Sequence, residues 1–318
     1  MLSRVADNLY WMSRYLERAE HNARAVDVHL TLSLDQSRRT PEESRERLLR
    51  ALHVPMPPGG LKDEYALTQR LTFDSSNANS IVSCIASARE NARQVREKIS
   101  SEMWLHLNTL YLDVRQTTLD AIWNEQPHEF FMSVKNGAHL FQGITDSTMV
   151  HDEGWLFIRL GRSIERTVAI CTLLDEHLQA YRLHPDAEAG DDYFEWLGLL
   201  KSFTAFEAYC KVYNADLRPY RIMEFLVFNP SFPHAVRFSI EMLQSALQSI
   251  AESSAVSKNS RVHRLVGRLR SSMSFDTVDD LVQGGVHPYL DDIIQQCLLI
   301  HEAIYETYIT YPVEAALP

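Results

Sequence analysis

The chain has 318 residues, 45% hydrophobic and 23% charged, with a formal net charge of −11. That length allows one large domain or two ordinary ones, and the acidic balance excludes a surface built broadly for phosphate backbones, so no nucleic-acid partner is expected. No run of eighteen apolar residues occurs, so no membrane span is expected either.

Only 11 glycines and 12 prolines interrupt the chain, a composition that favours helix. Residues 2–36 place Leu2, Val5, Leu9, Met12, Leu16, Ala19, Ala23, Val26 and Leu30 at steps of three and four, which predicts a long amphipathic helix. Thr40 before Pro41 caps a second helix. After a loop at 54–60 and a polar turn at 73–80, helices are predicted over about 80–100 and 102–124, with a shorter one ending near 143. The second half opens on a long helix over about 152–182. A loop at 183–192, helices at about 192–213 and 232–252, a serine-rich stretch at 252–260 and a last helix at about 287–310 follow. No strand alternation of useful length appears, so the fold class is all-α, a bundle of long helices.

The bundle reads as internally duplicated. A shift of 148 residues aligns Arg14, Glu17 and Arg18 with Arg162, Glu165 and Arg166, and also Asp27, His29 and Leu30 with Asp175, His177 and Leu178. A shift of 155 aligns "LTFDSSNANSIVSCI" (71–85) with "LVFNPSFPHAVRFSI" (226–240). Two halves, 1–148 and 149–318, fused with pseudo-two-fold symmetry, are the expectation.

In the first copy Val5, Leu9, Leu16 and Ala23 share one helix face, while Tyr10, Arg14, Glu17 and His21 lie nearly opposite. In the second, Arg162 and Glu165 lie across from Leu160, Ile164, Cys171 and Leu178. The charged faces carry apolar neighbours, so they should be at least half-buried, and buried charges need partners. One reading is a reciprocal bridge, Arg14 to Glu165 and Arg162 to Glu17. The other is a clamp of Arg14, Arg18, Arg162 and Arg166 on a carboxylate or phosphate ligand, with the glutamates orienting it. Tyr10, His21, Glu207 and Tyr209 are secondary candidates, the last two from "SFTAFEAYCKVY" (202–213).

Other signals are weaker. "DDYFE" (191–195) resembles a magnesium motif but sits at a helix start, where acids favour the dipole. Glu125 and His128 have di-iron spacing, in a loop and in one copy only. Asp27, His29, Asp175 and His177 read as surface polar residues. Cys84, Cys171, Cys210 and Cys297 stand singly without a C-x-x-C pair, so neither metal nor cofactor is expected and a reducing compartment is. The early charges Arg4, Asp7, Arg14 and Glu17 are not those of a signal peptide, and a cytoplasmic protein is expected.

The strings "MLSRVADNLYWMSRYLERAE", "ARENARQVREKISSEMW", "DEGWLFIRLGRSIERT", "FTAFEAYCKVY" and "FLVFNPSFPHAVRFSI" together resemble the bacterial alpha-E family, named for an α-helical domain with a Glu-Arg motif. The resemblance spans essentially the whole chain, and its two motifs fall on Glu17–Arg18 and Glu165–Arg166. It implies an all-helical fold and genes beside ATP-grasp ligase-like and transglutaminase-like proteins, hence a role in amide or peptide metabolism. Three functions remain open on the sequence: a non-catalytic binding or scaffold component, an enzyme using paired Glu and Arg, and a purely structural bundle.

Overall fold

Side chains at the helix starts punctuate the chain. The computed structural model describes residues 3–33, 40–124, 126–179, 192–253 and 260–310. Glu125, Asp191, the loop at 183–191 and the serine-rich residues 254–259 lie outside them. Helix α1 is Ser3–Leu32. Helix α2, Pro41–Ala51, opens on a capping box: the Thr40 hydroxyl accepts from the Glu43 N–H, and the Glu43 carboxylate accepts from the Thr40 N–H. The short α3, Glu64–Thr68, runs into a π-helical turn at Gln69–Phe73. Ser80 and Ser100 cap α4 (Ile81–Gln94) and α5 (Ser101–Gln116). The next two are α6, Leu119–Asn124, and α7, Pro127–Thr148. Asp152 caps α8, Glu153–Leu178. The second half continues with α9 (Tyr193–Ser202), α10 (Phe206–Tyr213), α11 (Pro219–Phe228), α12 (Val236–Ser253), α13 (Arg261–Phe275), α14 (Val278–Gly284) and α15 (Val286–Ile304). No strand occurs among the described residues, and the fold is an all-α bundle.

Two expected helices are each divided. The predicted 102–124 helix breaks at Thr117 and Thr118. The Thr117 hydroxyl donates back to the Asp113 carbonyl, and the Thr118 hydroxyl accepts from the Ala121 N–H, so both threonines compete with the helix ladder. The predicted 192–213 helix breaks between α9 and α10, where Thr204 has φ 52°. Helices α3, α11 and α14 are too short for a periodicity to stand out in sequence, whereas α13, with Val262, Val266, Leu269 and Met273 at steps of three and four, is a full helix additional to those expected.

At the centre lie α1 and α8. Tyr10 and Ser13 meet Gly161, Arg18 meets Glu165, and Ala25 and His29 border the same cavity as Leu173 and His177. Contacts therefore advance together and the two helices run parallel. Helices α4, α7 and α9 cover α1, while α12, α15 and α2 cover α8. Outside these, α5 bridges α4 and α7, and α13 bridges α12 and α15. Central position explains why α1 is buried on both its apolar and its charged faces.

Helices α1 and α8 approach closely at Gly161, where a Cβ would sit 2.3 Å from the Tyr10 carbonyl oxygen and 2.3 Å from Ser13 Oγ. Backbone cannot yield as a side-chain tip can. Gly161→Ala should therefore destabilise by roughly 1–3 kcal/mol despite the better helix propensity of alanine. Gly267→Ala in α13, where a Cβ would meet nothing within 4 Å, should be neutral or stabilising. Thermal melts of the two variants check this; equal melting temperatures would contradict the close approach.

Candidate functional site

The parallel pairing of α1 and α8 brings the two Arg-x-x-Glu-Arg motifs face to face. Glu165 Oε2 accepts from Arg14 Nε at 2.8 Å and Glu165 Oε1 from Arg18 Nε at 2.5 Å. Across the same interface Glu17 Oε1 accepts from Arg166 Nε at 2.5 Å and Glu17 Oε2 from Arg166 Nη2 at 3.0 Å, a two-pronged pair. Both glutamates are buried. The bridge is reciprocal, but it differs from the expected one in a partner. Arg14 does reach Glu165, whereas Arg166, not Arg162, answers Glu17. Nor do Arg14 and Glu17 pair within the helix.

Local neighbours explain the asymmetry. The Arg14 guanidinium stacks 4.6 Å over the Trp11 ring and donates to the Tyr10 hydroxyl at 3.3 Å, and Tyr10 bonds His301 Nδ1 at 2.8 Å. At the corresponding positions near Arg162 stand Ile158 and Arg159, which offer neither a hydroxyl nor an aromatic face. Arg162 makes no hydrogen bond or ion pair among the described residues; burial and the nearby Arg166 lower its pKa, with Glu17 and Asp146 opposing. The Gln142 amide, 3.4 Å from Glu17 Oε2, takes the place expected for Arg162.

The remaining donors are met by groups the motif analysis did not single out. Arg18 Nη1 donates to Asn79 Oδ1 at 2.9 Å, Asn22 to the Asn79 carbonyl at 2.7 Å, and Arg166 Nη1 to the Pro233 carbonyl at 3.2 Å. Asn79 and Pro233 both lie in the segments matched at a shift of 155, so that match was their only sequence signal. Burial alone would raise the Glu165 pKa, but Arg14 and Arg18 outweigh it and hold the carboxyl at about 2. Burial pushes Tyr10 up to about 12 against the pull of Arg14.

The secondary candidates separate. Tyr10 belongs to the bridge. His21 is buried, stacked on Phe203, and burial lowers its pKa to about 4. Glu207 is exposed, with no ion pair to Lys211, and the Tyr209 hydroxyl donates to the Asp216 carbonyl. Of that segment it is Phe203, not Glu207 or Tyr209, that reaches α1. The reading of Asp27, His29, Asp175 and His177 as surface polar residues is overturned. Asp27 is buried and accepts from Lys135 Nζ at 2.5 Å and pairs with His128 Nδ1 at 2.8 Å. Asp175 pairs likewise with His287 Nδ1 at 2.7 Å. His177 is buried, and His29 pairs with Glu64 at 2.7 Å. Glu195, from the acidic string at 191–195, pairs with Arg47 at 2.8 Å. Among the described residues no group of three or more His, Cys, Asp or Glu is placed to hold a metal ion.

Beside the bridge the cavity bordered by Ser13, Glu17, Gln142, Asp146 and Arg162 has a volume of about 20 Å³, room for one water. A cavity of about 860 Å³ lies instead at the C-terminal ends of α1 and α8.

Fold and site together define a helical bundle cross-locked through two Glu-Arg motifs. A family model described as Alpha-E, a predicted alpha-helical domain with a conserved ER motif, matches residues 1–309, and the chain belongs to that family. The chain is 26% identical over 297 residues to the uncharacterized protein Mb2597 of Mycobacterium bovis, covering 85% of this chain and 32% of that protein. It is 25% identical over 297 residues to the uncharacterized protein Rv2567 of Mycobacterium tuberculosis, with the same coverage. The chain thus spans about a third of the length of the curated relatives it matches. No solved structure matches. Among the described residues no helix is long and apolar enough to cross a membrane.

The bridge and the histidines near it make two predictions. Glu165→Gln strands Arg14 and Arg18 in a buried site and should cost about 3–5 kcal/mol, while Arg162→Met, which breaks no pair, should cost far less or stabilise; urea titrations of both variants distinguish them. On acidification, His21 and His301, both lowered to about 4, remain neutral in the fold while the unfolded chain takes up protons below its ordinary value of about 6.5. Their stabilisation is full above that pH and is lost as the pH falls towards 4. The contribution of Glu165, whose folded value is about 2, is present above about pH 4.3 and disappears as the pH falls towards 2. The urea midpoint should therefore fall between pH 7 and 4 and again below 4; a flat profile is the contrary result.

Proposed function

We propose that this chain is a non-catalytic helical scaffold or binding component of an ATP-grasp amide- or peptide-ligase system, with ATP-grasp ligase-like and transglutaminase-like proteins as its partners. The single observation that carries the reading is the state of the motif glutamates. Both are buried in pairs with arginines from the opposite helix, and the cavity that borders Glu17 has a volume of about 20 Å³. A general base needs room for substrate next to its carboxylate, so the alternative of an enzyme using Glu17 or Glu165 in a cavity between the repeats has little support in this geometry. The cavity bordered by Glu17 and Arg162 is too small for an anionic ligand. In this proposal the motif residues lock the bundle and the partner docks on its outside.

The expected partners come from the resemblance to gene neighbourhoods of the family. The relatives' length adds support, because in them the matched segment makes up about a third of a longer chain. We also take the two halves, 1–148 and 149–318, as products of duplication. Supporting this are the equivalent covers of α1 and α8, and the Asp27–His128 and Asp175–His287 pairs, in which each histidine is the second residue of its helix.

The test is co-purification of the tagged chain with the ATP-grasp ligase-like protein from its own genome. The expected result is a stoichiometric complex, and loss of amide-forming activity when the chain is deleted. Separate elution together with undiminished activity in the deletion strain would overturn the proposal.

A further inference from the structure

The locked α1–α8 pair ends in a cavity unrelated to the motif chemistry. We propose that this cavity binds a small zwitterion with an apolar body, a free amino acid or a short peptide. This inference does not depend on the partner proposed above.

At about 860 Å³ the cavity lies near the upper end of the range for small-molecule sites. Its lining places charges of both signs around an apolar floor. On one side Glu64 accepts from Arg45 Nη1 at 3.1 Å and lies 2.7 Å from His29 Nε2. On the other, Arg47 Nη2 lies 2.8 Å from Glu195 Oε2, and Arg47 Nη1 lies 3.4 Å from His177 Nδ1. These are wall groups held in place: the Arg45, Arg47 and Glu195 side chains are only 5%, 13% and 11% exposed. Val28, Leu48, Leu173 and Leu199 supply apolar surface between the two sets. At Gly198 the absent side chain leaves room for the Leu32 tip, which a Cβ there would meet at 2.3 Å.

The sign of the field orients the ligand. Glu42, Asp63, Glu64 and Glu195 outnumber Arg45, Arg47 and Lys62 in the lining. Helices α1 and α8 also end here, each adding roughly half a negative charge at its C-terminus, while α2 and α9 begin here and set their positive ends against their own first-turn acids, Glu42 and Glu195. An ammonium group is therefore drawn towards Glu64 and the helix ends. Lys62, exposed and without an ion pair among the described residues, is open to a carboxylate, and Arg47 can take one in exchange for Glu195. A doubly charged phosphate ligand would face a net acidic lining, and a neutral apolar ligand would leave the built charges unused. Charges paired with one another in the wall are easily re-partnered by a ligand carrying both signs, because each partner exchanged is replaced by another of the same charge.

Isothermal titration of the full chain with the twenty free amino acids and a panel of leucine-containing dipeptides tests this. At least one should bind saturably, and the panel shows whether single residues or peptides are preferred. N-acetylation or C-amidation of the best binder should each weaken binding tenfold or more. Glu64→Gln and Arg47→Gln should do the same in chains that keep wild-type circular dichroism, and Leu199→Trp should abolish binding by filling the floor. No binding across the panel overturns the proposal. So does equal affinity for the doubly capped ligand, a result read on the unmodified chain and therefore independent of whether any variant folds.

Discussion

Arg14, Glu17 and Glu165 are buried, and Arg18, Arg162 and Arg166 half-buried, where α1 and α8 pack together, and the rest of the bundle is arranged around them. A buried ion pair is a poor source of net stability, since desolvating both groups costs about what their attraction returns. Its effect is on register. Two parallel apolar helices could slide past one another by a turn, about 5.4 Å, and still bury leucines against alanines. Such a slip would separate Arg14 and Arg18 from Glu165 and Arg166 from Glu17, leaving charges unpaired in a dry interior. The cross-bridge thus removes competing registers, and Gly161 fixes the depth of the approach by letting the Tyr10 carbonyl come close.

Once that register is set, the ends of the pair are set as well. His29 and His177 fall at the same level, and the helices that follow each terminus, α2 and α9, bring Arg45, Arg47 and Glu195 to one cavity. The outer helices copy the central constraint. Asp27 near the end of α1 holds His128 at the start of α7, and Asp175 near the end of α8 holds His287 at the start of α15. Each pair ties a central helix to the first turn of a neighbour by the same Asp–His contact.

The long helices were legible in the sequence because α1, α8, α12 and α15 carry apolar positions at steps of three and four over many turns. The half-buried charged face was legible too, since Arg14 and Glu17 stand among aromatics. What the pattern could not show was contact across the chain. At ~100° per residue Asp27 falls on the apolar face with Leu9, so its burial was readable from the wheel, but nothing local reveals that Lys135 lies over it or that Glu64 lies beside His29. The divided helices escaped for a different reason: the threonine hydroxyls at 117 and 118 decide between helix and turn through single hydrogen bonds, a balance that periodicity does not register. Asn79 and Pro233 were visible only as part of a faint segment match, because a backbone carbonyl that accepts from an arginine leaves no signature in residue type.

The departures from symmetry carry the most information about how the bridge works. A strict two-fold would give Arg162 the place that Arg14 has, over an aromatic ring and against a hydroxyl. With Ile158 and Arg159 there instead, the guanidinium loses its stacking partner and gains a like charge, and Gln142 serves Glu17 in its stead. Glu165 consequently carries two arginines while Glu17 carries one, so the bridge is anchored more heavily on α8's carboxylate than on α1's. The side with the richer support, Tyr10, Trp11, His301 and Tyr305, is also where α1 is tied to the end of α15 and the turn that follows it through the Tyr10–His301 and Trp11–Tyr305 hydrogen bonds. The stronger half of the lock is the half that fastens the end of the bundle to its first helix, whereas the Arg162 side has only to fill space against α7.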